Sequence, residues 1–177
     1  MRITRRQFSA ALGTTIALTV LGCSDEPEEA KVESGGRSRN KLTLPDAPFS
    51  IGAPHKYHSA GVYEEYRESK GIYLVSDGKQ LVALSAVCTH NGCGTRFDSM
   101  SRIFKCPCHQ STFTSDGLNI SGGKAKRPLE RCMISLDGKP GDASAQLSVD
   151  PTKRYRQEID NPVSGRNWSS PNSVYVF

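Results

Sequence analysis

The run Gly71-Ile-Tyr-Leu-Val75-Ser-Asp-Gly-Lys79-Gln-Leu-Val-Ala-Leu84 decides the fold class. Its two β-prone segments flank a polar stretch in which Asp77-Gly78 favours the left-handed dihedrals of a tight hairpin. The second segment delivers the chain to Cys88. Downstream, Arg102-Ile-Phe-Lys105 reads as a strand running into Cys106, and Met133-Ile-Ser-Leu136 and Gln146-Leu-Ser-Val149 read as a later pair joined through Asp137-Gly138. Helical content is expected only around Tyr63 to Ser69, and no repeat or heptad is visible. With 16 Gly, 10 Pro and 36% hydrophobic residues in 177, the chain suits one turn-rich all-β domain with tails, built from short antiparallel strands.

The formal net charge is +5, but the first 22 residues hold Arg2, Arg5 and Arg6 and no acid, which leaves 20 basic against 18 acidic residues in the rest. That balance gives no support to nucleic-acid binding. Four of the six cysteines lie between Cys88 and Cys108, a clustering that points to one site rather than a scattered disulfide scaffold.

Cys88-Thr89-His90 and Cys106-Pro107-Cys108-His109 place cysteine and histidine together in two loops at strand ends, a pattern for binding metal. Two thiolates and two imidazoles make a common tetrahedral zinc site, which would leave Cys93 and Cys108 without a role. A two-iron cluster uses more of the residues: Cys88 and Cys106 on one iron, His90 and His109 on the other, with Cys93 and Cys108 left as a pair. Exchanging two anionic thiolates for neutral imidazoles raises the reduction potential relative to an all-cysteine cluster.

The two loops resemble the Rieske family, whose Cys-x-His and Cys-x-x-His pattern is met by Cys88, His90, Cys106 and His109, with fifteen residues between His90 and Cys106. The likeness runs from about Lys79 to Asp137 and includes Cys-Thr-His-Asn-Gly-Cys at 88–93 and Cys-Pro-Cys-His-Gln-Ser at 106–111. It implies a small antiparallel Rieske domain, a base sheet with a two-loop cluster-binding subdomain, carrying one [2Fe-2S] cluster. In high-potential members the two remaining cysteines form a disulfide between the loops, here Cys93 with Cys108. Such a crosslink needs an oxidising compartment. By the same resemblance Ser111 supplies a hydroxyl to a cluster sulfur and raises the potential, whereas Phe113 stands where high-potential members often have a tyrosine, so a potential below the family's highest is expected. Ser121-Gly122-Gly123-Lys124-Ala125 with Arg127-Pro128-Leu129 is similar to the family's covering loop, with Lys124 in place of the usual proline.

Ahead of the domain, Thr4-Arg5-Arg6-Gln7-Phe8 and the apolar run from Ser9 to Gly22 resemble a twin-arginine export signal, although Ser9 and Ala10 depart from its usual ending. Val20-Leu21-Gly22-Cys23 is similar to a lipobox that would make Cys23 the lipidated first residue. The alternatives are an uncleaved anchor and a free soluble product. Phe8 to Leu21 makes roughly 21 Å of helix, short of the ~30 Å hydrocarbon core. The expected organisation is signal or anchor over 1–22, a polar flexible tether over 23–40, the Rieske domain over 41–152, and a C-terminal extension over 153–177 that covers the domain or reaches a partner. This places the protein at the periplasmic or outer face of the bacterial cytoplasmic membrane.

The resemblance implies a subunit of a cytochrome bc-type quinol-cytochrome c oxidoreductase. The chain would not be catalytic alone, and its partners would be quinol, a membrane cytochrome b subunit and a c-type cytochrome. His109, then His90, are the residues expected to meet quinol. Alternatives are the electron-transfer subunit of an exported molybdenum oxidoreductase of the arsenite oxidase type, or a free-standing carrier. An oxygenase catalytic subunit would need a second domain with a mononuclear iron. His55 and His58 are read as surface side chains, and Cys132 as a buried free thiol.

Overall fold

The structure is a computed structural model describing residues 41–121, 123–156 and 171–177. The signal, the tether and Cys23 lie outside the described residues, as does the middle of the C-terminal extension.

Eleven strands form among the described residues. In chain order they are β1 (Phe49–Gly52), β2 (Gly61–Tyr63), β3 (Ile72–Ser76), β4 (Gln80–Ser85), β5 (Arg96–Asp98), β6 (Ile103–Lys105), β7 (Thr112–Thr114), β8 (Asn119–Ser121), β9 (Arg131–Asp137), β10 (Gln146–Tyr155) and β11 (Tyr175–Val176). They make two antiparallel sheets, a base sheet in the order β1-β10-β9-β4-β3-β2 with β11 added beside β4, and a small sheet β5-β6-β7-β8. The small sheet and its loops are inserted between β4 and β9, which are themselves neighbours through Ala83↔Cys132 and Leu84↔Arg131.

The β3-β4 hairpin forms where the sequence places it. Asp77 Oδ1 accepts hydrogen bonds from the backbone N–H groups of Lys79 (2.8 Å) and Gln80 (2.7 Å), and Gly78 takes φ 88°. The two strands pair from Ile72↔Ser85 to Ser76↔Leu81. Their side chains alternate between two cores. Ile72, Leu74, Leu81 and Ala83 join Ile134, Leu147 and Val149 on one face, while Tyr73, Leu84 and Ala86 on the other meet Phe104, Phe113 and Leu129. Both faces of the hairpin are therefore covered, which is why its sequence is a nearly continuous apolar run rather than an alternating one.

Helix is confined to short pieces. The stretch expected to carry helical content around Tyr63 to Ser69 yields a single turn, α1 (Arg67–Lys70), because Tyr63 pairs with Leu74 at the end of β2. Gly71 ends the turn in the left-handed conformation (φ 65°), its N–H bonding the Arg67 carbonyl at 2.9 Å. The later strand pair exists but is longer than the sequence suggests. β9 and β10 pair from Gln146↔Asp137 to Tyr155↔Arg131, with an irregularity between Asp150 and Arg154, so β10 runs past residue 152. At the end of the chain, β11 pairs with the start of β4.

Candidate metal centre

Each site loop is a strand end turned back on itself. The first leaves β4 at Ser85 and returns at β5. Cys88 N–H donates to the Cys93 carbonyl (2.8 Å), Gly92 N–H to Cys88 (3.0 Å), and Thr95 N–H and Oγ1 both bond the Ala86 carbonyl (2.8 and 2.9 Å). The second links β6 to β7, with Cys106 N–H bonded to Ser111 O (2.8 Å), Gln110 N–H to Cys106 O (3.1 Å), and Gln110 at φ 59°. Cys93 and Cys108 form a disulfide that joins the two loops.

The four expected ligands come together in two pairs. Cys88 and Cys106 are buried free thiols, each 2% exposed. The Cys88 thiol is pushed up to about 11, chiefly by burial and also by the adjacent Cys106 thiol, against hydrogen bonds from the His90 backbone and the Ser111 hydroxyl that pull it down. His90 and His109 approach edge to face at 4.5 Å, their Nδ1 atoms 3.1 Å apart. Two imidazole nitrogens facing each other at that distance, beside two buried thiols, form a donor set that fits metal. The sulfurs of Cys93, Cys106 and Cys108 also lie within 4.8 Å of one another. Two of those three are committed to the disulfide, so the thiols that remain for binding are Cys88 and Cys106.

Ser111 is fully buried between the loops. Its Oγ accepts the Ala125 N–H at 2.9 Å, leaving its own hydrogen for the Cys88 sulfur. The covering loop is tied in twice more, by Thr89 Oγ1 donating to Arg127 O (2.7 Å) and by the close approach of Gly123 to Ser111. A Cβ on Gly123 would stand 2.2 Å from Ser111 Cα, so only glycine fits. Phe113 is fully buried in the core under the loops, where a ring without a hydroxyl leaves no polar group to satisfy. Lys124 is exposed.

Sequence reasoning missed the support behind the first loop. Arg67, 7% exposed, donates from Nε to Tyr73 Oη and to the Thr95 carbonyl, both at 2.9 Å, and Tyr73 Oη donates to the same carbonyl at 2.8 Å. Arg67 also pairs with the exposed Glu68. These partners are up to 28 residues apart, and no local pattern announces them.

The other flagged residues lie elsewhere. His58 meets Phe177 edge to face at 4.5 Å and, with His55, lines a cavity of about 530 Å³ by Pro140 and Tyr175. Cys132 is fully buried in the base sheet, its thiol pushed up to about 12 by burial.

Residues 51–132 match the Rieske [2Fe-2S] domain. The cytochrome b6-f complex iron-sulfur subunit of Chlorobaculum tepidum is 35% identical over 83 residues, covering 46% of this chain and 45% of that one. The menaquinol:cytochrome c reductase iron-sulfur subunit of Bacillus subtilis is 32% identical over 78 residues, 42% of this chain and 47% of the other. A cytochrome b6-f complex iron-sulfur subunit of Synechococcus sp. (strain JA-2-3B'a(2-13)) is 38% identical over 112 residues, 59% of this chain and 64% of its own. The chain thus spans about half the length of the first two relatives. The domain match sets the zinc reading aside, and the disulfide accounts for the two cysteines that reading left idle.

Proposed function

We propose that this chain, which carries a Rieske [2Fe-2S] domain and is an electron-transfer protein, takes single electrons from a quinol and passes them to a c-type cytochrome within a cytochrome bc-type complex. In this reading Cys88 and Cys106 hold one iron, and His90 and His109 hold the other. The observation that carries it is the split between buried thiols and outward histidines: the sulfurs are sealed in the core, while His90 is exposed and His109 half-buried. The relatives named above, subunits of b6-f and menaquinol:cytochrome c reductase complexes, support the assignment.

The cluster, when bound, supplies a one-electron couple whose potential the two imidazoles raise. With Nδ1 of each ring turned toward the other, Nε2 lies across the ring and is the atom through which His109, and then His90, would meet a quinol hydroxyl. An unprotonated Nε2 accepts that proton as the electron leaves, so the same side chain handles both charges. Ser111, donating toward Cys88 and locked by Ala125, stabilises added negative charge at the sulfur and raises the potential. Phe113 contributes no second donor, which sets the expected potential below the family's highest.

Export by the twin-arginine route, with tethering through a lipidated Cys23 or a retained anchor, belongs to the same proposal. The sequence over 1–23 and the requirement of the Cys93–Cys108 bond for an oxidising compartment support it. Among the described residues no helix is long and apolar enough to cross a membrane.

The test is the midpoint potential of the purified holoprotein against pH, with electron paramagnetic resonance of the reduced state. A rhombic signal and a positive potential that falls above an alkaline pKa support quinol oxidation. A pH-independent potential at or below about −150 mV, the lower end for Rieske centres, overturns it in favour of a ferredoxin-like carrier.

A further inference from the structure

The three loops that surround the site, residues 86–95, 106–111 and 123–129, contain no carboxylate, while the third contributes Lys124, Lys126 and Arg127. All three cations are exposed, and among the described residues none is in an ion pair. The acids that border these loops are engaged elsewhere: Asp98 with Lys105 at 2.5 Å, and Glu130 with Arg154 and Arg156 at 3.0 and 2.5 Å. The cations do not sit on a free turn. Thr89 Oγ1 holds the Arg127 carbonyl, Ser111 Oγ holds the Ala125 N–H, Asn119 Nδ2 donates to the Ala125 carbonyl at 3.2 Å, and Gly123 lies against the Ser111 backbone. The charged segment is thereby pinned to both ligand-bearing loops.

We propose that Lys124, Lys126 and Arg127, fixed beside the exposed edge of His90 and His109, form the docking face for an electron acceptor that presents an acidic protein surface. This rests on the proposed electron transfer from quinol to a cytochrome, takes the histidine edge as the exit as well as the entry, and adds the chemistry of the partner. Charge of one sign concentrated at the exit raises the encounter rate with an oppositely charged partner, and salt screens the effect with a Debye length of about 10 Å at 0.1 M. The remainder of the chain past the first 22 residues is nearly balanced, so the asymmetry is local.

The test uses the reduced, cluster-loaded full-length protein in stopped flow. One electron passes from the protein to ferricyanide, giving ferrocyanide, or to a tris-phenanthroline cobalt(III) cation, giving cobalt(II), with no proton required. Three proteins are compared: the unaltered chain, Lys124→Gln/Lys126→Gln/Arg127→Gln, and the control Lys56→Gln/Lys79→Gln/Lys139→Gln, which removes equal charge from exposed turns around the base sheet. At low salt the loop variant should react about tenfold more slowly with ferricyanide and faster with the cobalt cation, both differences vanishing at high salt, while the control stays close to the unaltered chain. An acidic c-type cytochrome should follow ferricyanide, and a basic mitochondrial cytochrome c should not. Equal effects in the two variants, or none in the loop variant, would overturn the proposal. So would an unchanged rate with the acidic cytochrome together with loss of co-sedimentation with phosphatidylserine vesicles, which would assign the cations to a membrane. If the unaltered chain carries the rhombic signal but is not reduced by quinol, the underlying reading fails, and the charge comparison still stands by itself.

Discussion

In the base sheet Ile72, Tyr73, Leu74, Leu81 and Leu84 are fully buried on alternating faces, and what holds them is apolar area removed from water. At the site the loops bury the cysteines and a smaller apolar set, Ala86, Ala125 and Leu129. Their shape comes from a disulfide, from hydrogen bonds to Ser111, Thr89 and Thr95, and from backbone approaches that only glycine permits. The difference separates stability from function: the base should tolerate damage to the site, and the site should fail long before the base unfolds.

The comparison breaks if the two regions respond alike. The largest effect is expected for Leu74→Ala, which opens a cavity in the base core and should cost about 2–5 kcal/mol of global stability by urea denaturation. Removing the crosslink with Cys93→Ser/Cys108→Ser should cost roughly 3 kcal/mol by the loop-entropy account, for a separation of 15 residues. In hydrogen exchange that loss should concentrate at the amides of Cys88 and Cys106, with those of β3 little changed, and uniform loss in both regions would contradict the division. Gly123→Ala should push the covering loop off Ser111 at a cost of about 1–3 kcal/mol. Its readout is iron and sulfide content, which should drop while the base sheet's melting stays near that of the unaltered chain. The smallest effect is expected at the half-buried Asp98, whose carboxyl is held well below the usual range by Lys105 and by N–H groups of its turn. A folded-state pKa below the unfolded value adds stability that is fully present above about 3.8 and lost as pH falls. Asp98→Asn should therefore weaken the small sheet at pH 7, by an amount that shrinks steadily as pH is lowered below about 3.8, as measured by paired denaturation curves.

Much of this was legible in the sequence, for stated reasons. The β-prone runs on either side of Asp77-Gly78 announce a hairpin, and the cysteine spacing carries the site because ligand chemistry tolerates few substitutes. The three-residue strands of the small sheet were mostly invisible, since segments as short as Arg96–Asp98 or Asn119–Ser121 are defined by their neighbours and not by their own pattern. Helix was expected around Tyr63 because its local residues allow it, but pairing with Leu74 won. The Arg67-Tyr73-Thr95 brace stayed hidden for a related reason: a buried guanidinium is intelligible only once its distant partners are known. Gly123 gave a composition signal, yet the need for glycine there arises from Ser111, twelve positions away.

The insertion between β4 and β9 has a consequence for how this molecule can change length. Ser85 N–H meets the Glu130 carbonyl at 2.8 Å, so everything between those residues is a closed loop on an otherwise continuous sheet. Closing such a loop costs only about 0.6 kcal/mol more for each doubling of its length. Segments added within 86–129 thus leave the pairing of β4 with β9 nearly untouched, and the part of the chain that carries the candidate metal centre is free to be lengthened, trimmed or exchanged while the scaffold beneath keeps its register.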